Sequence, residues 1–242
     1  MDTRPWWALL ASVVAGFCAA ASAKPLVMLE DTGALMPHAR IENGRVVEGV
    51  RADLGAALAR RLGRDLQLRT MSRKRMAQAL ARGEADMVCG YQRDWLPGPF
   101  GWSHAFIPDE SLLVTSASAP APRGLADLAG QPVGTVLGHV YPEMDEVLHG
   151  GFVRDDAPNA VTNLHKLQAG RVQHALIGRR MLEYQQRIGH FRLVLHPPVV
   201  VSRVLAQCAL GPASPVGLPA LNSAIDGLVA EGELTRILAR YR

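Results

Sequence analysis

Cysteine, lysine and aromatic side chains are scarce in this chain of 242 residues, and each scarcity removes a class of protein. Three cysteines without a paired C-x-x-C, and eight histidines scattered singly from His38 to His196 without an H-E-x-x-H, leave no ligand spacing for zinc. No metal site is expected. Only three of the 26 basic residues are lysines, and the rest are dispersed arginines, with Met71–Arg75 (MSRKR) the nearest thing to a cluster. With a net charge of +4, no zinc-finger spacing and no basic region leading into heptads, a nucleic-acid partner is not expected. The G-x-S-x-G elbow of hydrolases and the G-x-x-x-x-G-K-[ST] phosphate loop are both absent, and nothing calls for a cofactor. What is present is an apolar share of 48%, that of an ordinary globular protein, over a length that suits one large or two modest domains.

The first 23 residues differ from the rest. Arg4 precedes an uncharged run from Trp6 to Ala23 that closes on Ala21-Ser22-Ala23. A basic start, an apolar middle and an A-x-A exit describe a secretory signal peptide cleaved after Ala23, which implies export to the periplasm. The rival reading is an uncleaved anchor, since the run is just long enough to span a bilayer. Lipidation at Cys18 is disfavoured because Phe17 stands where a small residue is needed. Removal of residues 1–23 leaves two cysteines, Cys89 and Cys208. In an oxidising compartment they are expected to pair, with an entropic upper bound of about 4 kcal/mol; the alternative is two buried free thiols on separate strands.

Along the mature chain, strands and helices alternate. Pro25–Glu30 is a buried strand, Asn43-Gly44 a turn, and 51–62 a helix with Val50, Leu54, Leu58 and Leu62 on one face and Gly63 as its stop. A strand through Leu66 and Leu68, a helix after Ser72 and a strand over 85–89 complete a βαβαβ unit, the signature of a parallel sheet covered by helices. The pattern restarts with strands at 131–137, 152–154 and 172–177 and helices at 141–149, 159–169 and 179–188, and ends with helices at 218–230 and 233–241, broken at Gly232. The segments Leu80–Asp86 and Leu167–Gln173 share L-x-x-G-x-[AV]-[DQ], a helix ending on a left-handed glycine that turns into a strand. Two extended stretches, 110–121 and 198–210, lie between the halves. Two such crossings make a clamshell hinge able to close over a ligand. The expected lobes are 24–112 with 206–242, and 113–205.

Five patterns in order carry a resemblance: Gly49-x-x-x-Asp53-Leu54 through Gly63, Leu80 to Asp86, Trp102-Ser103-x-x-Phe106, Leu125 to Gly134, and Ala224 to Ile237. Together they resemble the extracellular solute-binding protein family 3. The resemblance implies an α/β type II periplasmic binding protein, two lobes closing over a small polar solute, often an amino acid, that is passed to the membrane permease of an ABC transporter. A sensor kinase is the alternative partner, and a monomer is expected. The same fold also carries periplasmic dehydratases of the cyclohexadienyl type, for which Glu30, Asp31 and Glu143 would be the available acids and bases.

Amino-acid binders of the family place an arginine after the strand equivalent to 85–90 and an acid after the strand equivalent to 172–177. Here Arg93 is displaced from the first position, and Gly178, Arg179 and Arg180 occupy the second. An ammonium facing Arg179 would be repelled, so an anionic or neutral solute fits better. Ligands sit beyond the carboxyl ends of parallel strands, which makes Asp31, Tyr91, Arg93, Trp95, His139, Tyr141 and Arg179 the candidate ligand-binding residues. For Gly138–Tyr141 the choice is between an anion-binding helix start and an ordinary βα turn. Tyr91 and Trp95 can stack on a ligand or pack the hinge, and Arg93 with Asp94 can be a surface pair. Arg179 at a helix start opposes the dipole and asks for an anionic partner. No catalytic residue is assigned.

Overall fold

Alternation along one strand sets the geometry of the site. In the computed structural model, which describes residues 24–242, β1 (Leu26–Asp31) is central to a parallel group formed with β4 (Leu66–Met71) and β5 (Met87–Tyr91). The expected signal segment, residues 1–23, lies outside the described residues. Successive side chains of a strand point to opposite faces. Leu26 and Met28 accordingly join one buried cluster with helices α1 (Val50–Arg61), α6 (Leu218–Ala230) and α7 (Glu233–Arg240). Val27 and Leu29 join another with α2 (Arg73–Ala81). The sheet is thus covered on both faces, which is why β1 reads as a continuous apolar run. The same period delivers Glu30, one step past Met28, to the α1 face.

Between β1 and β4 the chain forms a hairpin, β2 (Arg40–Glu42) and β3 (Arg45–Glu48). Asn43 and Gly44, at φ 50° and 75°, make the mirror-image turn that matches strand twist. The second lobe repeats the layering. Strands β8 (Pro132–Val136), β9 (Val153–Ala157) and β10 (His174–Gly178) are parallel, with α3 (Pro142–Leu148) on one face and α4 (Ala160–Gln168) with α5 (Arg179–Arg187) on the other. The glycines of the sequence echo, Gly83 and Gly170, both stand at φ 70°, each closing a helix before a strand. Asn159 caps α4, its Oδ1 accepting the Thr162 N–H at 2.8 Å. We expect Asn159→Ala to cost about 1 kcal/mol, read as a fall of about 2–4 °C in the thermal midpoint. Ser72 stands before α2 as expected, but its hydroxyl accepts the Arg75 Nε–H instead of capping.

Two strands join the lobes. β7 (Ile107–Thr115) and β11 (Val199–Leu210) run antiparallel, from Val199 opposite Leu113 to Ala206 opposite Ile107. β7 continues into the second lobe against β10, whereas β11 leaves it at Gln207 with a register shift and pairs with β5 and the short β6 (Gly101–Trp102) in the first. The sheet order is β4-β1-β5-β11-β7-β10-β8-β9. At the root of β11, opposite Cys89 on β5, a disulfide joins Cys208 to Cys89. The α/β two-lobe architecture with a double crossing agrees with the expectation from sequence. Among the described residues, no helix is long and apolar enough to cross a membrane.

Candidate functional site

The carboxyl ends of β1 and β5 in the first lobe face the loops after β8 and β10 in the second. Glu30, almost fully buried, accepts Arg51 Nη1 at 2.5 Å and the Asp31 N–H at 3.0 Å through Oε1. Its Oε2 is buried without a partner. Burial raises the Glu30 pKa, and the Arg51 cation opposes that rise. Arg51 owes its place to two local features. It sits at the start of α1, over the face that β1's alternation gives to Glu30. It also lies against Gly90, where a Cβ would stand 3.2 Å from its Nε. Gly90 has φ 82°, which interrupts the alternation of β5 and puts Tyr91 on the α2 side with Val88. The Tyr91 ring is then flanked by the guanidinium carbons of Arg51 at 5.9 Å and Arg73 at 5.4 Å.

The second lobe contributes charges already engaged with the hinge. Arg179 Nε donates to Glu110 Oε2 at 2.5 Å, and Arg203 Nε to Glu110 Oε1 at 3.0 Å. The Arg179 hydrogen bond leads the forces that hold the Glu110 carboxyl below its ordinary value. The anionic partner that a cation at this helix start demands is therefore a hinge residue. Arg180, buried, donates Nη2 to the Pro108 carbonyl and lies 3.4 Å from Asp109 Oδ1. Burial lowers the Arg180 pKa; Asp109 opposes this, while Arg242 and Arg51 add to it.

His139 is exposed on the loop after β8, where the charges of Arg73 and Asp31 in the first lobe act on it. Its pKa is lowered by desolvation first and then by Arg73, while Asp31 acts in the opposite sense. The loop that carries it is braced by Arg154, which donates to the His139 and Val136 carbonyls and to Asp156 Oδ1 at 2.7 Å, with its charge over the Tyr141 ring. The Tyr141 hydroxyl accepts the Val136 N–H at 3.0 Å. Tyr141 thus shapes the loop, and α3 after it has only seven residues.

Of the candidates from sequence, Asp31, Tyr91 and His139 come to the facing strand ends. Trp95 packs with Phe100 and Trp102 in the α2-side cluster, and Arg93 is exposed on a 3-10 turn, Arg93–Trp95. Sequence reasoning passed over Arg51, Arg73, His38 and Asp109. A usable signal was there: Glu30 ends an apolar strand, and a buried carboxylate requires a cation nearby. Two surface hollows, of ≈ 440 and ≈ 390 Å³, lie instead beside α6, next to Arg61 and to His104. The charged groups beside them are paired with each other, Arg60 and Arg61 with Glu231 and Glu233 at the first and His104 with Asp226 at the second. Among the described residues no cluster of metal ligands occurs.

The chain has the fold of two-lobe periplasmic binding proteins. The GluR0 ligand-binding core in complex with L-glutamate is similar to it with a TM-score of 0.74 at 17% identity, over 92% of this chain and 99% of that one. A histidine kinase sensor domain similar to periplasmic binding proteins aligns with TM-score 0.73 at 19% identity, over 90% and 95%. An ancestral amino-acid-binding protein, a precursor of cyclohexadienyl dehydratase, aligns with TM-score 0.69 at 16% identity, over 90% and 94%. No protein-family model and no curated protein matches the chain in sequence.

Proposed function

We propose that this chain is a periplasmic solute-binding protein of extracellular family 3, which captures a small polar solute between its lobes and presents it to an ABC importer. The supporting observation is the β7–β11 crossing, with charged side chains of both lobes gathered at the strand ends beside it. The lobes are 24–112 with 206–242, and 113–205, and the hand-over of β11 from β7 to β5 at Gln207 supports that division. The solute is anionic or neutral. Arg51, Arg73, Arg179, Arg180 and Arg203 face the carboxylates Glu30, Asp31, Asp109, Glu110 and Glu183 in equal number, and the buried Nε of Arg180 is left without an acceptor, which favours a solute that can accept a hydrogen bond. The surroundings of His38 and His139 lower their pKa values, so neither adds positive charge at neutral pH.

Capture works by population shift: a solute that contacts both lobes only when they are closed stabilises the closed form. The solute leaves unchanged, and Glu30 serves as partner to Arg51 rather than as an acid. A saturating solute, at a hundred times its dissociation constant, adds about 2.7 kcal/mol, or roughly 5–10 °C in the thermal midpoint. A screen of carboxylates, amino acids, phosphates and sugars, paired with solution scattering, tests this reading. A midpoint rise together with a smaller radius of gyration is expected. No response from any class would discard the reading, and conversion of the added solute would replace it with an enzyme.

A further inference from the structure

We infer that residues 240–242 form a strut between the lobes, separate from the two hinge strands, which holds α5 of the second lobe to α1 of the first and biases how the lobes move. Hydrogen bonds anchor it on both sides. From the second lobe, Arg187 Nη1 donates to the Arg240 carbonyl at 3.1 Å and to the Arg242 carbonyl at 2.6 Å. In the first lobe, the Tyr241 hydroxyl donates to Asp53 Oδ2 at 3.0 Å and accepts the Gly49 N–H at 3.2 Å. Arg240 Nη1 also donates to Asp53 Oδ2. Tyr241 is buried in the cluster that packs α1, α6 and α7 together, so this end of the strut is fixed in the first-lobe core.

One face of α5 meets this strut and the hinge together. Arg180, Glu183 and Arg187 follow one another at three and four residues, which places them along one side of the helix. Arg180 holds the Pro108 carbonyl at the root of β7, while Glu183 and Arg187 reach residues 240–242. Leu35, in the loop after β1, packs on the cluster that contains Met181 and Leu182, a second first-lobe contact with the α5 layer. Glu183 Oε2 is buried without a hydrogen-bond partner and stands 3.8 Å from Arg242 Nε, just outside bonding reach. An unmet buried acceptor favours any arrangement that supplies a donor, and a small approach of α5 to the strut supplies Arg242. A shift of the lobes the other way must break the Arg187 bonds or drag residues 240–242 from Asp53 and the core. Contacts made in one arrangement and lost in another bias the balance between them without touching the solute. The strut itself stands on these contacts; its effect on solute affinity rests on the solute-binding reading above.

The test places nitroxide labels at Gln186→Cys on α5 and Thr235→Cys on α7, both exposed, and reads the distance between them by pulsed electron resonance. Cys89 and Cys208 are bonded to each other and take no label. The proteins compared are the labelled natural sequence, Arg187→Ala, Arg187→Lys and, as a control, Arg171→Ala, an exposed cation elsewhere in the same lobe. In Arg187→Ala the population at longer distance should grow roughly threefold to tenfold, the worth of one or two exposed hydrogen bonds. Arg187→Lys should show a smaller change, because a single ammonium replaces the planar fork, and it keeps the test open should the alanine variant not fold. Arg171→Ala should superimpose on the natural protein. An unchanged distribution in the Arg187 variants, or an equal change in Arg171→Ala, would overturn the strut. Calorimetry with succinate, L-glutamate, inorganic phosphate and glucose then reads the coupling. The affinity of whichever probe binds the natural protein should change roughly threefold to tenfold in Arg187→Ala. A changed distance with unchanged affinity would overturn the coupling to the solute. Silence from all four probes would count against the solute-binding reading, and the label distances would still decide the strut.

Discussion

Replacing both Cys89 and Cys208 by alanine is expected to lower the thermal midpoint by about 8–16 °C. The bond closes a sequence separation of 119 residues. Chain entropy released to the unfolded state by its loss amounts to about 4 kcal/mol, at 2–4 °C per kcal/mol for a chain of this size. Its location adds a structural reason. Cys208 lies where β11 leaves the hinge and enters the first lobe, opposite Cys89 on β5, and both residues are fully buried. The bond therefore ties the second crossing to the lobe on which it pivots. Calorimetry of the double variant beside the natural protein measures the effect. A difference below about 2 °C would mean that the β5–β11 ladder and the packing around it already fix this corner. Burial also predicts that a mild reductant leaves the native midpoint unchanged until the protein is partly unfolded.

The scaffold was legible because its signals are local. The four-residue step of Val50, Leu54 and Leu58 and the glycines at 63, 83, 170 and 232 sit where helices end, all at positive φ. The two crossings were readable as extended segments, but their pairing with each other was not, because strand partners are chosen by tertiary packing. The hairpin at 40–48 appeared only as its turn. The site was far less legible. Loops could be named from the rule that ligands lie beyond strand ends, which made Asp31, Tyr91 and His139 candidates among seven. The pairing of Arg51 with Glu30 depends on helix phase and on the absence of a Cβ at Gly90, neither of which spacing reveals. Arg93, displaced in sequence from the family's position, is exposed on its 3-10 turn. Arg179 looked unpaired because Glu110, 69 residues away, is brought to it by the antiparallel pairing of β7 and β10.

Arg51→Ala should destabilise the protein by about 3–5 kcal/mol, since it leaves Glu30 as a buried carboxylate with no cation. Most of that loss should be recovered in Glu30→Gln with Arg51→Ala, because a neutral amide carries a smaller desolvation cost than an orphaned charge. The pH dependence separates this cause from simple loss of packing. In the natural protein burial already raises the Glu30 pKa above its ordinary 4.5, with Arg51 opposing; removing Arg51 lets it climb further. An acid whose folded pKa exceeds its unfolded value binds protons more tightly in the native state. Native stability then grows as pH falls through the folded pKa toward the ordinary value. The deficit of Arg51→Ala should accordingly be full at neutral pH and shrink in mild acid, while that of the double variant stays level. Denaturant titrations of the three proteins across that range decide the matter. A deficit indifferent to pH would assign the loss to the missing arginine stem over Gly90 and detach Glu30 from the energetics of the cleft.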